Sequence, residues 1–130
     1  LKTQRDAKRK LFSFTFDSDK DMKSFAEFWP YYVAEHSKRG TRALHFAGTM
    51  IGTALAVALA ANGKWLWLPL AFVPGYAAAW ASHFFIEHNR PATFQHPLWS
   101  LMGDYKMVAL MLSGRMEEEV RRCCALQTKS

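Results

Sequence analysis

Ala43-Leu44-His45-Phe46-Ala47-Gly48-Thr49-Met50-Ile51-Gly52-Thr53-Ala54-Leu55-Ala56-Val57-Ala58-Leu59-Ala60-Ala61 runs for nineteen residues without a formal charge. A helix that crosses the hydrocarbon core of a bilayer needs about 20 apolar residues, so this stretch reads as a membrane span. Asn62-Gly63-Lys64 follows as a turn signal. From Trp65 to Ile86 the chain is again free of formal charge. Pro69 lies early in this second run, and Pro74-Gly75 interrupts it, so the run predicts one kinked helix or two short ones. Two apolar runs joined by a three-residue turn predict an antiparallel transmembrane hairpin.

Charge is distributed around this centre. The chain has 130 residues, a net charge of +6 and an apolar share of 50 %, which bounds it to one domain. Basic residues lie in the first ten positions, at Lys38, Arg39 and Arg42 before the first run, and at Arg90 after the second. Such flanking charge fits an anionic lipid surface, and no nucleic-acid motif is visible, so no nucleic-acid partner is expected. The turn carries only Lys64. The positive-inside rule therefore puts both chain ends and the ends of both runs in the cytoplasm. Gly48 and Gly52 have the small-xxx-small spacing of close helix packing and could serve a homo-oligomer.

Outside the hairpin the signals are weaker. Residues 1–20 read as a basic polar tail, 21–115 as the helical membrane domain and 116–130 as a charged tail. Leu11–Phe16 alternates apolar and polar residues, as an extended segment would. A helix is expected from a cap at Ser18 or Asp19, with Phe25, Phe28, Trp29, Tyr32 and Val33 on one face and a kink or break before Pro30. Residues 97–113 predict a shorter helix, interfacial, re-entrant or packed on the hairpin. In the tail, Glu118 and Arg122 have i,i+4 spacing on a solvated helix. Cys123 and Cys124 are adjacent, form no metal motif and read as free thiols, with S-acylation near a membrane as the sharper alternative. The fold class is thus all-α: a membrane helical bundle built on a transmembrane hairpin, with flanking interfacial or re-entrant helices.

The five histidines carry the chemistry. His45 opens the first run and His83 lies near the end of the second, so an antiparallel hairpin brings them to one membrane face. His36 precedes the first run, and His88 and His96 follow the second. Ionisable groups at such depth are costly and are usually functional. His36, His45 and His83 offer three imidazoles. Glu87, one helical turn after His83, offers a fourth ligand or a partner that orients a ring. Imidazole suits iron, zinc, copper and nickel alike, so these residues alone do not choose the metal. A serine triad through Ser100 and Asp104 lacks the GxSxG elbow.

Three segments carry a resemblance to a known family: His36-Ser37-Lys38-Arg39-Gly40-Thr41-Arg42-Ala43-Leu44-His45-Phe46-Ala47-Gly48, then Gly75-Tyr76 through His83-Phe84-Phe85-Ile86-Glu87-His88-Asn89-Arg90-Pro91-Ala92-Thr93-Phe94, then Pro97-Leu98-Trp99-Ser100-Leu101-Met102-Gly103-Asp104. Over roughly residues 25–113 the chain resembles the Mpo1-like family. The resemblance implies a membrane-bound Fe(II) dioxygenase, of the endoplasmic reticulum in eukaryotes and the inner membrane in bacteria. It implies α-oxidation of a 2-hydroxy long-chain fatty acid by O2 to the acid one carbon shorter. It also implies iron held by His36, His45 and His83, whereas His88 and His96 stand where relatives often carry other residues. With such a substrate, Arg42 or Arg90 could pair with the carboxylate, and the acyl chain would lie between the spans. Two alternatives differ in their metal: a diiron membrane desaturase or hydroxylase, suggested by His83-x4-His88, and a metal-binding scaffold without enzymatic activity.

Overall fold

The computed structural model describes residues 22–90 and 95–129. The basic tail, the alternating run Leu11–Phe16, the expected caps at Ser18 and Asp19, and Pro91 lie outside the described residues. Among those described there are five α-helices and no strand: α1 (Phe25–Glu35), α2 (Arg39–Ala61), α3 (Phe72–Ser82), α4 (Pro97–Leu112) and α5 (Met116–Lys129).

The first apolar run forms the core of α2, a continuous helix of 23 residues. At about 1.5 Å per residue it spans roughly 34 Å, enough for the ~30 Å hydrocarbon core. It is the one described helix long and apolar enough to cross a membrane.

The second run is more broken than its composition suggests. Trp65–Ala71 is 3-10 helical and contains Pro69. The α-helix proper starts at Phe72, which places Pro74 in its first turn, where a missing N–H costs little. His83–Glu87 then widens into a π-helix. The arm nevertheless runs back along α2. Gly48 meets Pro74, Gly75 and Ala78; Gly52 meets Ala71; and Gly40 faces Ile86. The small-xxx-small face is therefore filled by the chain's own second arm.

The buried core lies to one side of this pair. Phe28, Trp29, Tyr32 and Val33 of α1 pack with Met107 of α4 and with Met116 and Cys123 of α5. Helix α1 begins at Ser24, whose hydroxyl accepts from Glu27 N–H (3.3 Å), while Lys23 N–H donates to the Glu27 carboxylate (3.0 Å). This is a variant of the capping box, and its Ser-x-x-Glu signature was available in the sequence. The helix runs on through Pro30 without the expected break. Aromatic side chains buried on both sides of Pro30 hold it in place.

Helix α5 is also not the solvated helix its charges suggest. Cys123 and Met116 are buried against α1. Arg122 pairs with Glu119 (Nη2 to Oε1, 2.5 Å), three residues away, and not with Glu118. Both cysteines are free thiols. Burial pushes the Cys123 thiol up from its ordinary value, which disfavours the reactive thiolate.

Candidate metal centre

His36 follows the last turn of α1, His45 sits two turns into α2 and His83 opens the π-helix. All three are buried, at 1 %, 4 % and 1 % exposure. One ligand nitrogen from each lies within 4.8 Å of the other two. The ring centroids are 4.4 Å apart for His36–His45, 4.6 Å for His36–His83 and 5.2 Å for His45–His83.

The partners of each ring decide which nitrogen faces inward. His36 Nδ1 lies 2.6 Å from Tyr32 O. A carbonyl only accepts, so Nδ1 carries the proton and Nε2 is bare. His83 Nδ1 lies 2.7 Å from Asn89 Oδ1, and Asn89 Nδ2 donates to Glu35 O (3.2 Å). That second bond fixes the amide orientation, so His83 Nδ1 also carries a proton. His45 Nδ1 meets Asp104 Oδ1 at 2.9 Å, and Tyr32 Oη donates to the same oxygen. Three Nε2 lone pairs therefore converge.

This arrangement is costly without a cation. His36 Nε2 and His83 Nε2 are 3.1 Å apart, yet in these tautomers neither has a hydrogen to give. His45 Nε2 is buried without a hydrogen-bond partner. A transition metal held by imidazole nitrogens at about 2.0–2.1 Å brings neighbouring ligand nitrogens to roughly 3 Å. Burial, reinforced by His45 and His83, holds His36 well below the ordinary histidine range, so the ring is neutral as a ligand must be. The residues present fit a metal.

The surrounding chain holds the rings. After the π-helix, His88 takes left-handed backbone angles (φ 56°, ψ 41°), and Asn89 N–H returns to His83 O (3.0 Å). That turn carries the Asn89 side chain back to His83; π-segments of this kind are frequent at functional sites. Tyr32 stacks on His36 with centroids 4.0 Å apart. Burial, then the Asp104 charge, raises the Tyr32 hydroxyl far above its ordinary pKa, so it remains a donor.

The other sequence-derived candidates lie around this centre and not in it. Glu87 Oε1 accepts from Lys38 N–H (2.9 Å), which ties the π-helix to the loop before α2. Arg42 is buried and donates to His36 O (3.0 Å), Ser37 O (2.5 Å) and Glu117 Oε1 (2.8 Å). Arg90 is exposed at the end of the second arm. His88 is exposed, and His96 stacks on Trp99 with centroids 4.8 Å apart. Neither joins the cluster, and the described residues form one three-histidine group where a diiron site would need more ligands. Asp104, Tyr32 and Asn89 were missed as site residues in the sequence.

Beside the centre opens a groove of about 400 Å³ between α2, α3 and α4. Its lining is mostly apolar: Gly48, Gly52, Ala56 and Val57 on α2, with Leu68, Phe72 and Ala79 on the second arm. Asp104, which holds His45, is also in the lining, so groove and metal centre share a wall.

A family model described as 2-hydroxy-palmitic acid dioxygenase Mpo1-like matches residues 22–116. No curated protein and no solved structure gives a match. The matched span takes in the three histidines, Asn89, Asp104 and every residue lining the groove, and on that span the chain belongs to the Mpo1-like family.

Proposed function

We propose that this chain is a membrane Fe(II) dioxygenase that shortens 2-hydroxy long-chain fatty acids by one carbon. The observation that carries the reading is the convergence of three bare imidazole nitrogens beside an apolar groove. His36, His45 and His83 would hold the metal, and three protein ligands leave positions open for substrate and O2. The family description supports a dioxygenase acting on a 2-hydroxy acid, and O2 chemistry favours iron among the metals between which imidazoles alone do not choose. Iron bound there supplies the redox chemistry that lets O2 react with the acid.

The chain's own residues do the rest. Asp104, Asn89 and Tyr32 O fix the three rings. The groove takes the acyl chain: its α2 wall from Gly48 to Val57 is about 13 Å long, at about 1.5 Å per residue. Arg42, one of the two arginines that the sequence offers for the substrate carboxylate beside Arg90, secures the loop that carries His36. Glu87 secures the other end of that loop through Lys38.

In this reading α2 and the second arm form a transmembrane hairpin. Leu66 is 96 % exposed and Phe85 78 %, and Ile51, Val57 and Val73 are exposed along the same pair. A water-soluble chain rarely leaves so continuous an apolar face open. The flanking basic residues favour a cytoplasmic metal centre, with the turn at residues 62–64 on the other side.

The test is O2 uptake by the purified chain on addition of 2-hydroxypalmitate. Uptake should stop on chelation, return with Fe(II) at one metal per chain, and be absent in His36→Ala. Tight metal binding with no O2 uptake would leave a metal-binding scaffold and end the enzymatic reading.

A further inference from the structure

Helix α1 and the residue that caps it place three rings in a row. Trp29, Tyr32 and His36 recur at helical spacing, so they share one side of the helix. Trp29 stacks on Tyr32 with centroids 5.6 Å apart and planes inclined by 16°. Tyr32 stacks in turn on His36 at 4.0 Å. Tyr32 also reaches a second ligand, because its hydroxyl donates to the Asp104 oxygen that holds His45. At the outer end of the row, Trp29 Nε1–H donates to Glu119 Oε1 at 2.7 Å.

Packing alone asks only for apolar rings at these positions. Tyrosine and tryptophan are instead the aromatic side chains that give up one electron most readily. Once oxidised, a phenol or an indole becomes a far stronger acid, and a carboxylate already bonded to its hydrogen lets the proton leave with the electron. Tyr32 has Asp104 in that place and Trp29 has Glu119. The Lys106 ammonium lies 4.2 Å from the centre of the Trp29 ring and disfavours a positive charge on the indole, so an oxidised Trp29 must shed its Nε1 proton. Lys106 is exposed and Glu119 half-buried, which sets Trp29 just beneath the surface.

We propose that Tyr32 and Trp29 form a path that carries oxidising equivalents from the metal centre to the surface when iron is oxidised with no acid present to consume them. This rests on the reading of the three histidines as an iron site and not on the identity of the acid. Hydrogen peroxide, as the oxidant, takes two electrons and two solvent protons and leaves as two waters. One electron comes from Fe(II), which becomes Fe(III). The other comes from Tyr32, whose phenol proton passes to Asp104. The tyrosyl radical then takes an electron from Trp29 and recovers its proton from Asp104. Trp29 releases its indole proton through Glu119 to solvent. A reductant of the ascorbate class at the surface, itself oxidised by one electron, returns that electron, and a solvent proton restores the indole.

The experiment mixes the full chain, loaded with Fe(II) in lipid nanodiscs and free of fatty acid, with equimolar hydrogen peroxide and follows absorption by stopped flow. The sharp band of a tyrosyl radical should form and give way to the broad band of a tryptophanyl radical. Protein loaded with Zn(II) should show neither, and added ascorbate should quench the tryptophanyl band. Tyr32→Phe, which leaves Asp104 on His45, should lose both bands, while Tyr31→Phe should keep both. In Trp29→Phe the tyrosyl band should persist with no tryptophanyl band after it. Trp29 stacks on Tyr32 and not on a ligand ring, so this variant decides the matter even if Tyr32→Phe holds no iron. Absence of radical bands from unmodified protein shown to hold iron would overturn the proposal. So would unaltered bands in Trp29→Phe, or in an iron-loaded Tyr32→Phe. Radical formation without O2 uptake on 2-hydroxypalmitate would uphold the inference and sink only the proposed reaction. Uptake without radicals would do the reverse.

Discussion

At the scale of single residues, the metal centre depends on who holds each ring. Asp104 accepts from His45 Nδ1 and from the Tyr32 hydroxyl at one oxygen. A carboxylate behind a ligating imidazole fixes its tautomer and raises its basicity, and removing such a partner typically costs about 10–100-fold in metal affinity. Asp104→Asn should show that loss in a calorimetric metal titration, while Tyr32→Phe, which keeps the carboxylate, should lose less. Equal affinities in all three proteins would mean that Asp104 does not tune the centre. The convergence of the three histidines was legible in the sequence, because His45 and His83 stand at ends of apolar runs that an antiparallel fold brings together. Their partners were not. Tyr32 and Asp104 are 72 residues apart, and His45 and Asp104 are 59 apart. No local pattern signals a contact at that separation. Asn89 depends on a left-handed turn after a π-helix, which apolar periodicity does not report.

At the scale of elements, close approach and docking carry the energetics. A Cβ built on Gly48 would lie 2.7 Å from Ala78 Cβ and 2.9 Å from Pro74 O, and one on Gly52 would lie 2.6 Å from Ala71 O. Backbone atoms cannot swing aside as a flexible side chain can. Gly48→Ala should therefore cost about 1–3 kcal/mol by overpacking, read as a lower unfolding midpoint. Gly63 makes the contrasting case. It has open space but φ of +69°, so Gly63→Ala should cost roughly 1–2 kcal/mol through backbone strain alone. The glycine spacing was readable, but the sequence left open whether it faced another copy or the chain's own second arm. Helix α5 is held differently. Arg122, and after it Trp29 Nε1–H, hold the Glu119 carboxyl at about 2, against an ordinary 4.5, although partial burial works the other way. A depressed carboxyl pKa stabilises the docked helix wherever Glu119 is ionised in both states. That contribution is complete above about pH 4.5 and is lost as pH falls toward 2. Amide protection factors over residues 116–126, each taken relative to the intrinsic exchange rate at the same pH, should fall across that window, and Glu119→Gln should remove this part of the acid response. The sequence showed the charges of α5 but hid its docking, because Met116, Val120 and Cys123 make a sparse apolar stripe among them.

At the scale of the whole molecule, the proposed entry of an acyl chain into the groove implies one arrangement in the bilayer. Helix α2 is long enough to cross, and the second arm contacts it in antiparallel order from Ile86 back to Ala71. If both arms lie in the membrane, the metal centre and the turn at Asn62-Gly63-Lys64 sit on opposite faces. Ser37 and Asn62 are both exposed, one beside His36 and the other at the turn. Single cysteines at these positions, in a chain whose Cys124 is replaced by serine, should react with a membrane-impermeant maleimide from opposite sides of sealed vesicles. The buried Cys123 gives a low background. Labelling of both from the same side would place α2 along the membrane surface. The groove would then face headgroups and not acyl chains, so the same measurement decides whether a lipid tail can reach the three histidines from within the bilayer.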